Sequence, residues 1–318
     1  MSDQQARSVL PAHHDGSPLA DGGNSATSAW DSLQTNLGSS PRRAGRRPYV
    51  TRARVATVGD QLNGHQRAIL ADVGRLGTVT GSQLRRLHYS GSPATDRLAR
   101  KHIGQLVHWQ VLTRLGRVGR DGRPGTAGYA YGAGIVGQRL LDPGRARYFP
   151  RWKPRPNYLR HGVAVSELYV NLRTVEKEGQ LELVVYDTEP FCWRRYFGPG
   201  GARSVLKPDA LAVVGVGAYE YRFFVEMDCN SEHGPQIAAK AKAYVRYWQT
   251  GREQAETGIF PYVLWAAPDR DRVTFLIDAL SKLAPEHWRL FTVSTAAQAP
   301  DWIATGSSQT IDERKELG

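Results

Sequence analysis

The stretch that decides the fold is residues 207–248, which read KPDALAVVGVGAYEYRFFVEMDCNSEHGPQIAAKAKAYVRYW. Two apolar runs, 209–214 and 221–228, flank a Gly-rich turn, and this order predicts a β-hairpin. In the segment that follows, apolar residues recur at helical spacing, so the hairpin is expected to lead into a helix at 235–249. The hairpin and this helix form the centre of a predicted α/β domain.

Three carboxylates cluster at one end of this predicted hairpin. Asp209 opens the first strand, and Glu226 and Asp228 close the second. Because Glu226 and Asp228 are two residues apart on one strand, their side chains are expected on the same face. A charge in such an apolar run is costly without a partner. The sequence leaves two explanations open, a divalent metal on carboxylate oxygens or ion pairs with bases such as Lys240.

Composition limits the class of protein. The chain has 318 residues, of which 41% are hydrophobic, enough for two domains and a tail. We expect no membrane association, because no stretch approaches the ~18 apolar residues of a membrane span and the N-terminus has no apolar signal core. The two cysteines fit a reducing cytoplasm. We therefore predict a cytoplasmic protein.

The net charge of +12 is concentrated in one segment. Residues 61–150 contain 14 Lys and Arg against four Asp, whereas residues 151–318 contain 21 bases and 21 acids. A compact basic module beside a neutral one is typical of nucleic-acid binding. The alternative is that these bases form an ordinary solvent-exposed surface that binds no nucleic acid.

Changes of composition and pattern along the chain predict five segments. They are a disordered tail (1–60), a winged helix-turn-helix DNA-binding domain (61–135), a linker (136–160), an α/β domain (161–300) and a flexible tail (301–318).

The predicted winged helix has a basic recognition helix and a basic wing. Helices are expected at about 63–76, 81–89 and 93–109, followed by two short strands around a loop rich in Gly and Arg. The third helix would present one polar face to the major groove of double-stranded DNA, and the wing would follow phosphates. The alternatives to DNA for this domain are RNA and a protein partner. The predicted DNA-binding residues are Arg97, Arg100, Lys101, Gln105, His108, Arg117, Arg120 and Arg123.

In the second predicted domain, strands alternate with helices, which indicates a mixed sheet flanked by helices and an α+β fold class overall. Its first helix, 161–173, begins with His161 and contains Glu167. Glu167 could reach the sheet edge or face solvent. His161 lies in the apolar stripe, which favours a hydrogen-bonded core histidine over a functional one.

The order of these motifs resembles the replication-relaxation family of actinobacterial plasmids and integrated elements. The resemblance covers about residues 62–295. It rests on Leu84, Leu87, His161, Glu167, Pro208–Asp209, Glu226–Met227–Asp228, Ser231–Glu232, Lys240, Tyr244 and Tyr247. One departure is Cys229–Asn230, where the family pattern has Arg-Gly. The resemblance implies DNA binding in plasmid or mobile-element replication and maintenance, and hence association with the nucleoid or with plasmid DNA. It also implies replication or mobile-element proteins as partners.

The second half also resembles restriction-endonuclease-like nucleases of the PD-(D/E)-x-K group. This resemblance implies that Asp209 and Glu226 bind Mg²⁺ and that Glu167 is a third acid. The position of the motif lysine is occupied by Asp228, and Lys240 on the next helix is the candidate replacement. The candidate catalytic residues are Asp209, Glu226, Asp228, Lys240 and Glu167.

Three functions follow from these motifs. The first is a Mg²⁺-dependent endonuclease or nicking factor that the winged helix directs to its site. The second is a catalytically silent, nuclease-like DNA-binding adaptor that recruits a partner or forms a homodimer. The third, a winged-helix transcriptional regulator, leaves the acid cluster unexplained.

Overall fold

The computed structural model describes residues 49–119, 128–144, 155–230 and 232–305. They combine α-helices with an antiparallel sheet, a mixed sheet and a two-stranded ribbon, so the predicted α+β class is confirmed. The helices are α1 (Arg52–Gln61), α2 (Gly64–Leu76), α3 (Gly81–His88), α4 (Pro93–His108), α5 (Ile135–Leu141), α6 (Pro156–Lys177), α7 (Gly234–Gln249), α8 (Arg252–Thr257), α9 (Arg270–Leu280) and α10 (Ala299–Thr305).

The strands occur in three groups. The first antiparallel sheet has the order β1 (Val79–Thr80), β3 (Gly128–Ala133), β2 (Leu112–Val118). The ribbon is β5 (Arg194–Phe197) with β6 (Arg203–Leu206). The mixed sheet has the order β10 (Phe291–Thr295), β9 (Tyr262–Ala267), β8 (Tyr219–Met227), β7 (Ala210–Val216), β4 (Glu182–Thr188).

Helices α2, α3 and α4 each begin at a side-chain cap. Asn63 and Thr80 form capping boxes with Gln66 and Gln83, and Ser92 caps α4, whose first residue is Pro93. These caps satisfy backbone N–H groups that a helix start would leave unpaired. The predicted boundaries of these three helices are therefore confirmed to within one residue.

The central hairpin consists of β7 and β8, paired antiparallel. Ala210 lies opposite Val225, and β9 adds in parallel to the other side of β8. Alternate residues of β8 face opposite layers: Phe223 and Val225 pack with α6 and α10, while Phe224 packs with α7 and α9. The sheet is thus covered by helices on both faces, which explains why its strands are apolar on both sides.

The N-terminal helices share a hydrophobic core with one face of this sheet. Ile69, Leu84 and Leu106 belong to the same buried cluster as Leu168 of α6 and Val225 of β8.

Direct hydrogen bonds also cross from the N-terminal helices to α6 and β4. Ser166 Oγ donates to the Thr78 carbonyl at 2.5 Å, and Thr188 Oγ1 donates to the Arg75 carbonyl at 2.6 Å. The predicted division at residues 135 and 161 stays a prediction, but the two halves pack against each other directly.

Helices extend across all four predicted segment boundaries. Residues 52–60, assigned to the disordered tail, belong to α1, because Thr51 caps the helix and Val58 is buried. The predicted linker contains α5 and the start of α6. The predicted tail from residue 301 begins within α10, whose Ile303 is buried. The remainders of both tails, 1–48 and 306–318, lie outside the described residues.

The ribbon is fixed to the rest of the protein by a buried ion pair. The Arg194 guanidinium donates twice to Glu253 of α8, at 2.8 and 3.1 Å, and the Tyr247 hydroxyl donates to the same carboxylate at 2.6 Å. Glu253 is 1% exposed. The buried Glu253 carboxylate is therefore paired with a cation and hydrogen-bonded rather than isolated.

We predict that Glu253→Ala lowers the free energy of unfolding by about 3 kcal/mol, because it leaves a largely buried cation and a buried hydroxyl without their acceptor. Urea denaturation measures this change. The matched control is Glu256→Ala on the same helix, whose exposed pair with Arg252 should contribute less than about 1 kcal/mol. Equal losses in the two variants would contradict the assigned role of Glu253.

Candidate functional site: a buried carboxylate cluster and an exposed basic helix

Asp209 lies just before β7, at the end of the hairpin where β8 also ends. Asp209 is 7% exposed, and its side chain accepts two hydrogen bonds. Oδ2 accepts from the Met227 backbone N–H at 2.7 Å, and Oδ1 lies 3.1 Å from His161 Nε2. Each carboxylate oxygen of Asp209 thus has a protein donor, one from β8 and one from α6.

His161 is charged because of Asp209. Burial acts to lower the pKa of the imidazole, but the hydrogen bonds with Asp209 and Cys229 outweigh burial and raise the pKa to about 11. Cys229 Sγ lies 4.0 Å from His161 Nδ1. His161 is thus a hydrogen-bonded histidine, the interpretation that the sequence favoured. Its main partner, Asp209, is one of the candidate site residues.

Glu226 is held by two donors from α7. Its side chain is almost completely buried, and it accepts from Lys240 Nζ at 2.8 Å and from the Tyr244 hydroxyl at 2.5 Å. Burial and the charge of Asp209 raise the pKa of Glu226 to about 8. Burial raises the pKa of Tyr244 well above its ordinary value, so the tyrosine stays protonated and donates.

Lys240 links two carboxylates. Its Nζ lies 2.8 Å from Glu226 Oε2 and 2.8 Å from Glu232 Oε1. Burial alone would lower the pKa of Lys240, but the charges of Glu226 and Asp209 hold it above its ordinary value. The ammonium therefore remains protonated and acts as a fixed positive charge.

Glu189 is a member of this cluster that the sequence analysis missed. Burial, followed by repulsion from Asp209, raises the pKa of its carboxyl to about 7. The Trp193 indole N–H donates to Glu189 at 3.2 Å, and the Glu189 backbone N–H donates to the Asp209 carbonyl at 3.3 Å. Glu189 directly follows β4, and only the pairing of β4 with β7 brings it to this end of the hairpin, so no local sequence signal identified it.

The other two candidate catalytic acids lie outside this cluster. Asp228 accepts two hydrogen bonds from the Arg272 guanidinium of α9, at 3.0 and 2.8 Å. Glu167 accepts from Gln83 at 2.8 Å and forms an ion pair with Arg86. Glu167 therefore neither points to the sheet edge nor stands free in solvent, but joins α6 to α3.

The cluster as it stands does not fit a metal ion. Asp209 and Glu226 have a protein donor on each of their four carboxylate oxygens. Glu232 Oε2 is buried without a hydrogen-bond partner, but it is a single oxygen. Within the described ranges, no group of three or more His, Cys, Asp or Glu side chains is placed to hold a metal. Mg²⁺ binds through one or two carboxylates together with waters, and here these protein donors would have to leave the oxygens before a metal could reach them.

The predicted recognition helix exposes most of its predicted face. Arg97, Arg100, Lys101 and His108 are exposed, while the opposite face of α4 is buried. Gln105 is half-buried and accepts a hydrogen bond from Gln66 of α2 at 3.0 Å. This face therefore presents a row of cations, with Gln105 turned toward the protein.

The hairpin that follows α4 carries further arginines. The guanidinium groups of Arg114 and Arg117 lie 4.6 and 4.9 Å from the centre of the Tyr129 ring. Arg117 also donates to the Tyr129 hydroxyl at 3.3 Å. The tip of the predicted wing, with Arg120 and Arg123, lies outside the described residues.

Comparison with protein families matches residues 70–263 to the replication-relaxation family. The match spans more than half of the chain, and the chain belongs to this family. Membership suggests a role in DNA replication or relaxation. Neither the comparison with curated proteins nor that with solved structures gave a significant match. In the part of the chain that the structure describes, no helix is both long and apolar enough to cross a membrane.

The raised pKa of Glu189 predicts a pH-dependent loss of stability. An unfolded glutamate titrates near 4.5 and folded Glu189 near 7. Below this window the carboxyl is protonated in both states. As the pH rises through it, the unfolded state loses the proton first, so unfolding becomes more favourable. We expect Glu189→Gln to match the wild type near pH 4 and to be more stable by about 3 kcal/mol at pH 8.

Urea denaturation at the two pH values measures this difference. Glu182→Gln, an exposed acid on the neighbouring strand β4, is the control and should shift stability equally at both. A constant difference between wild type and Glu189→Gln across this range would contradict the placement of Glu189 in the cluster.

Proposed function

We propose that the chain binds double-stranded DNA in plasmid or mobile-element replication and maintenance, with α4 as its recognition helix. The single observation that carries this proposal is the exposed row of Arg97, Arg100 and Lys101 on a helix whose other face is anchored in the core. A fixed row of cations complements the phosphates of a duplex, and arginine can also bind guanine edges in the major groove.

The surroundings of α4 support a winged-helix mode of binding. Helix α3 packs beside it, and Arg85 of α3 pairs with Asp96 of α4 at 3.2 Å. The β2–β3 hairpin follows and carries Arg114 and Arg117. A helix in the major groove with an arginine-bearing hairpin on the backbone is the binding mode we infer. Gln105 then positions α4 on α2 and does not contact bases.

The carboxylate cluster serves, in this proposal, as a structural ion network. Asp209 and Glu226 are neutralised by His161 and Lys240, and Tyr244 completes the hydrogen bonds. Such a network orders the sheet end against α6 and α7 without any chemical step. The sheet region would then be a catalytically silent, nuclease-like scaffold that presents α4 and offers surfaces to partners or to a second copy.

A metal-dependent nicking activity is the second candidate. The observation that favours it is the convergence of Asp209, Glu226 and Lys240 on one end of one hairpin, as the nuclease resemblance implies. For Glu226 to act in this way, Lys240 and Tyr244 would have to release its carboxylate. This rearrangement is the reason that we rank nicking second.

Duplex binding can be tested with the double variant Arg97→Ala/Lys101→Ala. We expect the slope of log affinity against log salt concentration for a mixed-sequence duplex to fall by about 2, since each phosphate contact contributes about 0.9. Fluorescence anisotropy of a labelled duplex measures the slope. Lys282→Ala, which removes an exposed cation elsewhere, should leave it unchanged. A wild-type protein that does not bind duplex DNA would overturn the proposal.

The two candidates differ in their effect on supercoiled plasmid. With a structural network, purified protein and Mg²⁺ leave the plasmid supercoiled on an agarose gel. Nicking that disappears in both Asp209→Ala and Lys240→Ala, with both variants shown to be folded by circular dichroism, would instead establish the second candidate. Nicking that persists in both variants indicates a contaminating nuclease.

A further inference from the structure

The outer face of the β5–β6 ribbon is a cationic and aromatic surface. Along β5, Arg195 and Phe197 point outward while Tyr196 is buried; along β6, Arg203 and Val205 point outward while Leu206 is buried. Phe197 is 67% exposed. A single exposed aromatic ring is common on protein surfaces, so its meaning depends on the residues around it.

Each cross-strand pair, or rung, of this outer face contains one cation. Arg195 lies opposite Val205, and Phe197 lies opposite Arg203. One rung further along, Lys207 Nζ lies 4.5 Å from the centre of the Trp193 ring. Outward-facing residues two apart repeat at about 6.8 Å along a strand, so the three cations form a ladder.

This cationic face has little acidic compensation. The six residues of its three cross-strand pairs include no acid; they are Trp193, Arg195, Phe197, Arg203, Val205 and Lys207. Nearby, Glu189 accepts from the Trp193 indole, and Glu253 is occupied by Arg194 on the inner face. Arg252 pairs with Glu256 and donates to the Arg195 carbonyl at 3.2 Å. The outer cations therefore remain available to an anionic ligand.

The ribbon is held rigidly and its tip is open. Its inner face packs through Tyr196 on Tyr247, with ring centroids 5.0 Å apart, and the Arg194–Glu253 pair fixes it to α8. At the tip, Gly200 and Gly201 have φ of 69° and 74°, and no atom lies within 4 Å of where a Cβ would stand. A backbone of this kind allows close approach of a ligand.

We propose that this face binds a single strand of DNA. Arg195, Arg203 and Lys207 contact successive phosphates, and an unpaired base stacks on Phe197. The aromatic ring favours a single strand over a duplex, because a paired and stacked base offers no free π-face, and cationic grooves with aromatic platforms are how proteins hold single strands. This inference goes beyond duplex binding by α4 and does not depend on it.

The experiment uses the full-length protein and a fluorescein-labelled oligothymidylate of about 20 nucleotides, longer than the site size of one such surface. We expect Phe197→Ala to weaken binding about 5-fold or more and Phe197→Trp to restore it. Arg195→Ala/Arg203→Ala should weaken binding and lower the salt slope by about 1.4. Because these side chains are exposed, all the variants should keep the thermal stability of the wild type.

Two controls separate this proposal from duplex binding and from general loss of exposed surface. Tyr219→Ala removes an equally exposed aromatic from the turn end of β8 and should bind oligothymidylate like the wild type. Arg97→Ala/Lys101→Ala should lose duplex affinity while retaining most single-strand affinity. The ribbon variants should show the opposite pattern, so either activity can fail without the other.

Three outcomes would overturn the proposal. The first is wild-type affinity for oligothymidylate in the ribbon variants, or no binding by the wild type. The second is an equal loss of duplex and single-strand affinity in the ribbon variants, which would make the ribbon a general phosphate contact. The third is a change of oligomeric state by light scattering without a change in DNA binding, which would make this face an interface between copies.

Discussion

A carboxylate buried at the end of a β-hairpin is unfavourable until donors surround it, and here the donors come from three elements, β8, α6 and α7. Asp209 requires the Met227 N–H of β8 and the His161 imidazole of α6. Glu226 requires Lys240 and Tyr244 of α7. Providing hydrogen-bond donors to these two buried carboxyl groups therefore fixes helices on both faces of the sheet, and the positions of α6 and α7 depend on this network.

The same helix, α6, connects the sheet to the basic N-terminal part. It contributes Leu168 to the shared core, Ser166 to the Thr78 carbonyl, and Glu167 to Gln83 and Arg86 of α3. An element that is anchored at the carboxylate cluster thus also supports the helices that precede α4. The orientation of the exposed cations of α4 therefore depends on this packing as well as on their spacing in the sequence.

The tyrosines of α7 show how one spacing serves two buried acids. Tyr244 donates to Glu226 in the cluster, and Tyr247 donates to Glu253, which holds the ribbon through Arg194. Residues three apart on a helix lie on nearly the same face, so one helix surface organises both the cluster and the ribbon. The hydroxyls stay protonated because burial raises the pKa of each tyrosine.

The sequence by itself determined the α+β class, the family, the hairpin, the helix caps and the exposure of Arg97 and Lys101, because periodicity and capping are local properties. The tertiary structure alone decided the partners of the acids. Asp228 and Glu226 are two residues apart, yet Asp228 pairs with Arg272 and Glu226 with Lys240. Glu189 joined the cluster because β4 lies beside β7. Such pairings depend on which elements pack together, and a local pattern carries no information about residues tens of positions away.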